Sequence, residues 1–167
     1  LAVKRYRNGD EIPQVQDPQQ WARLTTGAWC DFQDKSGAVL EEVVLYNWYA
    51  VVDPRGLAPE GWRIPSGADW ESLEKAVGSE PAKALKSVAG WHNGMNGGNS
   101  LGFNAEPTGL RYVTGIFSLG GMSAYWWTSE ANSATTGDSK SLSFSRTGLA
   151  DSVLPKGSGL SVRCVKP

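Results

Sequence analysis

Eight tryptophans share this 167-residue chain with 20 glycines, and that pairing constrains the fold more than any other feature. Each indole offers a large apolar face and one donor. Each glycine opens backbone conformations closed to other residues. A chain built this way is expected to pin many irregular loops with aromatic anchors. That suits an extracellular binding or structural module better than a helical cytosolic enzyme. The length fits one domain with one core, expected over residues 1–167.

Charge narrows the partners. Sixteen Lys and Arg balance 17 Asp and Glu, a formal net charge of −1, and no block of like charge interrupts the mixture. A phosphate-tracking nucleic-acid surface and a polybasic membrane patch are therefore not expected. No apolar run approaches the roughly 20 residues that cross a bilayer, so membrane insertion is not expected. The opening LAVKRYRNGDEIP shows no export signal; for an exported module, one removed upstream is the expectation.

Local patterns place the elements. DPQQWARL (17–24) reads as a short helix, with Asp17 as cap and Pro18 in the first position. GAWCDF (27–32) reads as a strand and QDKSG (33–37) as a turn. EVVLYNWYAVV (42–52) reads as a strand buried on both sides. DPRGLAPEG (53–61) is a loop. In GWRIPSGADWESL (61–73), Ser66 and Asp69 form a near capping box. Trp70, Leu73 and Val77 then share one helical face, and Gly78 ends the helix. A second helix is expected from Ser79, with Pro81 in its first turn, burying Leu85 and Val88. Residues 90–121 are loop-dominated. AYWWTS (124–129), SKSLSFSRTG (139–148) and GLSVRCV (159–165) read as strands. In the second, Leu142 and Phe144 face one way while Ser141, Ser143 and Ser145 make a wet face. Of the tandem Trp126 and Trp127, one is expected in the core. The other reaches a second core or the surface.

Catalytic patterns are missing. The single histidine, His92, lies in a Gly- and Asn-rich loop with no nucleophile tied to it. There is no G-x-S-x-G elbow and no Walker motif, and spacing singles out no carboxylate pair. No metal site or cofactor is expected. Calcium is the one ion the 91–109 loop suggests, but Glu106 is its only carboxylate and the asparagines serve as turn residues. Cys30 and Cys164 fit no zinc or redox spacing. Two buried thiols and one disulfide, the latter worth ~4–5 kcal/mol through chain entropy, both stay open.

Several stretches, in order, resemble the Fibrobacter succinogenes major paralogous domain. They include NGDEIPQVQDPQQWARLTTGAWCDF, LYNWYAVVDPRGLAPEGWRIPSGADWESLEKAVG, NSLGFNAEPTGLR, YWWTSE and LSVRCVK. The domain is similar to the C-type-lectin-like fold, and WRIPSGADWESL to a stretch of formylglycine-generating enzymes. The resemblance implies an α+β domain: short helices around a twisted antiparallel sheet, long irregular loops and neighbouring termini. It implies a protein at the cell surface or outside the cell, sometimes part of a larger surface protein or fibre. Enzyme chemistry does not carry over, since only Cys164 lies where those enzymes use a cysteine pair. Ala58 stands where relatives look to have cysteine, which leaves Cys30 and Cys164 as the possible disulfide.

In lectin-like proteins diversified by retroelements, the variable segment corresponds to residues 129–161 here. The expected function is non-catalytic recognition of a glycan or cell-surface protein, an adhesin-like receptor-binding domain being the alternative. A structural assembly module or a polysaccharide-active enzyme stays open behind both. The expected ligand set is Trp127, Ser129, Asn132, Thr135, Asp138, Ser141, Ser143, Ser145, Arg146 and Asp151, helped by exposed aromatics.

Overall fold

Capping side chains set the starts of the first three α-helices. In the computed structural model, which describes residues 1–34 and 36–167, Asp17 accepts from Gln20 N at 2.8 Å and starts α1 (Pro18–Trp21). Strands β1 (Trp29–Gln33) and β2 (Val39–Tyr46) pair antiparallel, with a register shift after Asp31. The expected strand over 42–52 stops at Tyr46. Asn47 accepts from Ala50 N and caps a helical turn, α2 (Trp48–Val51). A local side-chain cap here overrides β propensity. The capping box at Ser66 and Asp69 is reciprocal: Ser66 N donates to Asp69 at 2.7 Å and Asp69 N to Ser66 Oγ at 3.3 Å. It starts α3 (Gly67–Val77), which ends at Gly78 with φ +83°. Helix α4 (Pro81–Leu85) buries Leu85, but Val88 is 66 % exposed, against expectation. The helix is already over at Lys86, where the chain turns extended and bridges Ala105.

Regular structure in the later half is mostly strand. A short hairpin joins β3 (Leu110–Arg111) to β4 (Phe117–Ser118). Strands β5 (Ser123–Ala131), β6 (Thr136–Ser143) and β7 (Ala150–Pro155) form an antiparallel sheet in that order. Strand β7 lies inside the segment expected to be a display loop. It pairs along the edge of β6: Ser139 lies opposite Ser152, its hydroxyl donates to Ser152 O at 3.0 Å, and it is buried, while of the serines expected on a wet face Ser141 and Ser143 are half-buried and Ser145 is exposed. Phe144 lies beyond the end of the strand. The segment 159–165 is not a continuous strand. Its residues form separate bridges to Arg111, Tyr46, Trp126 and Arg63 and so tie four parts of the chain together.

The α+β architecture is thus a few short helices packed with small antiparallel sheets. Three apolar clusters make the interior. Neighbours on a strand face opposite ways, and the tandem tryptophans use this: Trp127 enters the cluster with Tyr46 and Leu160, Trp126 the one with Trp70 and Leu85. The third gathers Trp21, Cys30, Phe32 and Leu45. Gly137 is required where Trp48 crosses β6, since a Cβ there would lie 2.6 Å from the indole. The first residue lies near the end of the chain, Leu1 N donating to Val162 O at 2.9 Å. No helix among the described residues is long and apolar enough to cross a membrane.

Arg111 fixes the third cluster. Its guanidinium is fully buried, 4.4 Å from the Trp21 ring centroid and 4.8 Å from that of Phe117. It donates to the carbonyls of Gly115 at 2.9 Å, Val15 at 2.6 Å and Gln16 at 2.7 Å. One side chain thereby joins the β3–β4 hairpin to the N-terminal segment. Gly115, with φ +85°, closes that hairpin against Pro18, where a Cβ would lie 2.4 Å from Pro18 Cα.

Candidate functional site

The expected ligand set does not converge. Trp127 is fully buried and its indole donates to Tyr46 O at 2.9 Å, so it is frame and not a platform. Seven tryptophans are buried; Trp62, 42 % exposed, is the exception. The exposed aromatics among the described residues are Trp62 and Tyr112, neither of them in the expected ligand set. Ser129, Asn132 and Thr135 are exposed around the β5–β6 turn. Ser145 and Arg146 are exposed at the other end of β6. The eight residues of β6 put these groups on the order of 25 Å apart. Between them, Asp138 is half-buried, and Ser141 donates to Ala150 O at 3.4 Å and meets Ser152 at 3.1 Å. Ser143 meets Ser145 at 3.2 Å. Asp151 is exposed but holds the buried Lys140 ammonium at 2.6 Å. On β6 the exposed groups are confined to its two ends, because Gly137, Ser139, Lys140 and Leu142 are buried between them, while β7 keeps Asp151 and Val153 exposed at mid-sheet.

Of the two states left open for the cysteines, the structure has the unbonded one: Cys30 and Cys164 are free thiols. Cys30 is sealed in the third cluster, and Cys164 packs against the first. Burial pushes the Cys30 thiol up to about 12, which leaves it protonated and inert.

The main concavity is instead a two-chambered groove beside the 102–108 loop. One chamber, of about 420 Å³, is polar and lined by Asn104, Glu106, Thr108, Ser161 and Arg163. The other, of about 720 Å³, is bounded by Phe32, Val43, Val88, Ala89 and Pro107, with Asp34 at its edge. Val43, Asn104, Glu106 and Thr108 border both chambers. The exposure of Val88 puts an aliphatic group on the open wall.

The loop is held by its own asparagines. Asn99 and Asn104 both have positive φ, and Asn104 N donates to Asn99 Oδ1 at 2.7 Å. Asn104 Nδ2 donates to Glu106 at 3.1 Å and orients that carboxylate. Arg163 lies 4.1 Å from the Phe103 ring centroid, donates to Asn104 O at 3.3 Å, and has its pKa lowered by burial. Thr108 and Ser161 hydroxyls meet at 3.3 Å. The groove thus presents planar polar groups in fixed orientation beside an aliphatic wall, the usual make-up of a small-ligand cleft.

Asp34 does not supply an acid. It accepts from Ser36 N at 2.8 Å, Ser36 Oγ at 2.7 Å and Ala38 N at 3.0 Å, and these bonds hold its carboxyl below the usual range. His92 does not line the groove; its ring stands edge-on to Phe144 at 5.1 Å. Among the described residues no three His, Cys, Asp or Glu gather as metal ligands. In the sequence Glu106 stands out only as a lone carboxylate. Nothing there marks Asn104, Thr108 and Arg163, because segments 43–44, 102–108 and 161–164 meet only in the fold. The asparagine-rich turn was the one local signal.

No curated protein and no solved structure matches the chain. A family model does: that of the Fibrobacter succinogenes major domain matches residues 1–166. The chain belongs to this family.

Proposed function

We propose that this chain is a non-catalytic extracellular recognition module that binds a glycan in the groove beside the 102–108 loop. One observation carries the reading: Asn104 and Glu106 stand in fixed orientation where the polar chamber, with Arg163, meets the aliphatic wall of Val43, Val88 and Pro107. A sugar offers the matching split, hydroxyls at its edge and C–H groups on its face. Amide, carboxylate and guanidinium groups give it both donors and acceptors. The cell-surface setting and a C-type-lectin-like ancestry rest on the family resemblance.

A polysaccharide-cleaving reading is weaker. Such enzymes need one carboxyl kept protonated near neutral pH. Asp34, which shares a chamber with Glu106, is pushed the other way.

A panel of neutral and acidic polysaccharides titrated against the protein tests this, read by the fluorescence of Trp126 in the groove wall. Binding to one class is expected, with Glu106→Gln and Asn104→Ala each weakening it at least tenfold. Failure of the whole panel, or binding untouched by both substitutions, would sink the reading.

A further inference from the structure

A separate concavity lies behind the segment that follows α4. Lys86 and Ser87 are neighbours there on extended chain and face opposite ways. Ser87 lines the groove. Lys86 lines a pocket of about 330 Å³ between α4, the turn at 94–96 and the turn at 144–147.

Lys86 is 3 % exposed. Its ammonium donates to Phe144 O at 3.2 Å and sits 4.6 Å from the Trp91 ring centroid. It has three N–H groups, and no carboxylate pairs with it among the described residues. A buried ammonium without an anion is costly, and burial holds its pKa below the ordinary lysine value.

The charge around it is lopsided. Lys83 and Arg146 line the same pocket, and the only carboxylate there is Glu80, exposed and already within 3.3 Å of Lys83. Arg146 has no ion pair among the described residues. Neutral donors complete the lining. Asn96 gives its carbonyl to Trp91 N at 3.1 Å, which leaves its NH2 group as a donor. The Ser145 and Thr147 hydroxyls stand beside it. Met95, 51 % exposed, and Phe144 supply an apolar side.

We propose that this pocket binds one acidic sugar unit through its oxyanion, carboxylate or sulfate, with Lys86 and Arg146 as the charged partners. The pocket is at the small end of ligand cavities, about one sugar in size. Arginine matches a planar or tetrahedral oxyanion with two parallel donors, and lysine adds a point charge beneath. The amide and hydroxyl donors suit ring oxygens, and the Met95 and Phe144 side suits a C–H face. The site shares no lining residue with the groove chambers. It stands or falls separately from the function proposed there.

The test is calorimetric titration of the whole chain with galacturonate, galactose 6-sulfate and galactose. At least one acidic sugar is expected to bind ten times or more tighter than galactose, and which one does identifies the oxyanion. Lys86→Met, which keeps the aliphatic stem, and Arg146→Gln are each expected to cost at least tenfold, with Glu11→Gln, which lines neither concavity, leaving affinity unchanged. Arg146 is exposed, so its variant decides the matter even if Lys86→Met fails to fold. Absence of binding by both acidic sugars, equal binding of galactose, or full affinity in Arg146→Gln would overturn the proposal. Dependence on Glu106 would overturn it too, by moving the sugar to the groove. N-acetylaspartate binding in place of either sugar would overturn the sugar assignment.

Discussion

Two of the buried cations in this molecule, Arg111 and Lys86, lie under opposite conditions. Arg111 is enclosed by three carbonyls and two rings. Lys86 has one carbonyl, one ring and an open pocket beside it. Both are desolvated, and neither has a carboxylate within ion-pair distance among the described residues. The difference lies in how many donors are used. A cation whose donors are filled by backbone holds segments together and has nothing left for a ligand. One with donors unused beside a cavity adds little to the fold and is available to an anion. Burial of a charge alone does not tell the two roles apart; the count of acceptors does.

The comparison can be broken most sharply at Arg111. Arg111→Met would strand the carbonyls of Val15, Gln16 and Gly115, and about 3–5 kcal/mol of stability is expected to go. For a chain of this size that is about 10 °C in the thermal midpoint. A loss below ~1 kcal/mol would mean that the carbonyls find water and that the clasp is unimportant.

A third cation sharpens the contrast through pH. Arg55 lies over Tyr6 and donates to Asp53 at 2.8 Å, so its acceptor titrates, unlike those of Arg111. The Arg55 hydrogen bond pulls the Asp53 carboxyl down to about 2. The folded value lies below the unfolded one of ~3.9. The contribution is therefore complete above pH ~4 and lost as pH falls toward 2. Denaturant midpoints measured across that window should fall less steeply in Asp53→Asn than in the parent. Parallel acid limbs would count against the pair.

The smallest change is expected at Lys86. Lys86→Met removes an unpaired buried charge while keeping most of the volume. Stability is expected to stay within about 1 kcal/mol of the parent or to rise. A drop as large as that of Arg111→Met would make Lys86 a structural clasp as well, and the contrast would collapse.

The sequence was most legible where a few adjacent residues settle the outcome. The Asp17 cap and the Ser66–Asp69 box are local chemistry, and both helices begin where those residues stand. The strand around the tandem tryptophans and the opposite facing of the pair follow from the two-residue repeat. Legibility failed where distant chain decides. ADSVLP shows no apolar alternation, yet it pairs along the edge of β6 where Ser139 is buried. Trp127 looked available because no local pattern reveals that Tyr46 waits above it. Arg111 gave no warning beyond its place before a glycine-closed hairpin. The groove needs three segments that meet only after folding, so its best residues went unnoticed. Ser145 and Arg146, by contrast, were named and do line a pocket, though for a charge reason that their own neighbourhood in the chain does not show.

The adjacent indoles of β5 carry a last implication. A single peptide unit separates the side chains that fill two different interiors. Sliding that strand by one position would exchange its inward and outward sets at every site, pulling both indoles from their seats at once. Neither interior can loosen while the other keeps its alignment, so the two are expected to melt in one cooperative step. The doublet works as a registration pin, admitting a single way for the halves of the molecule to close on each other.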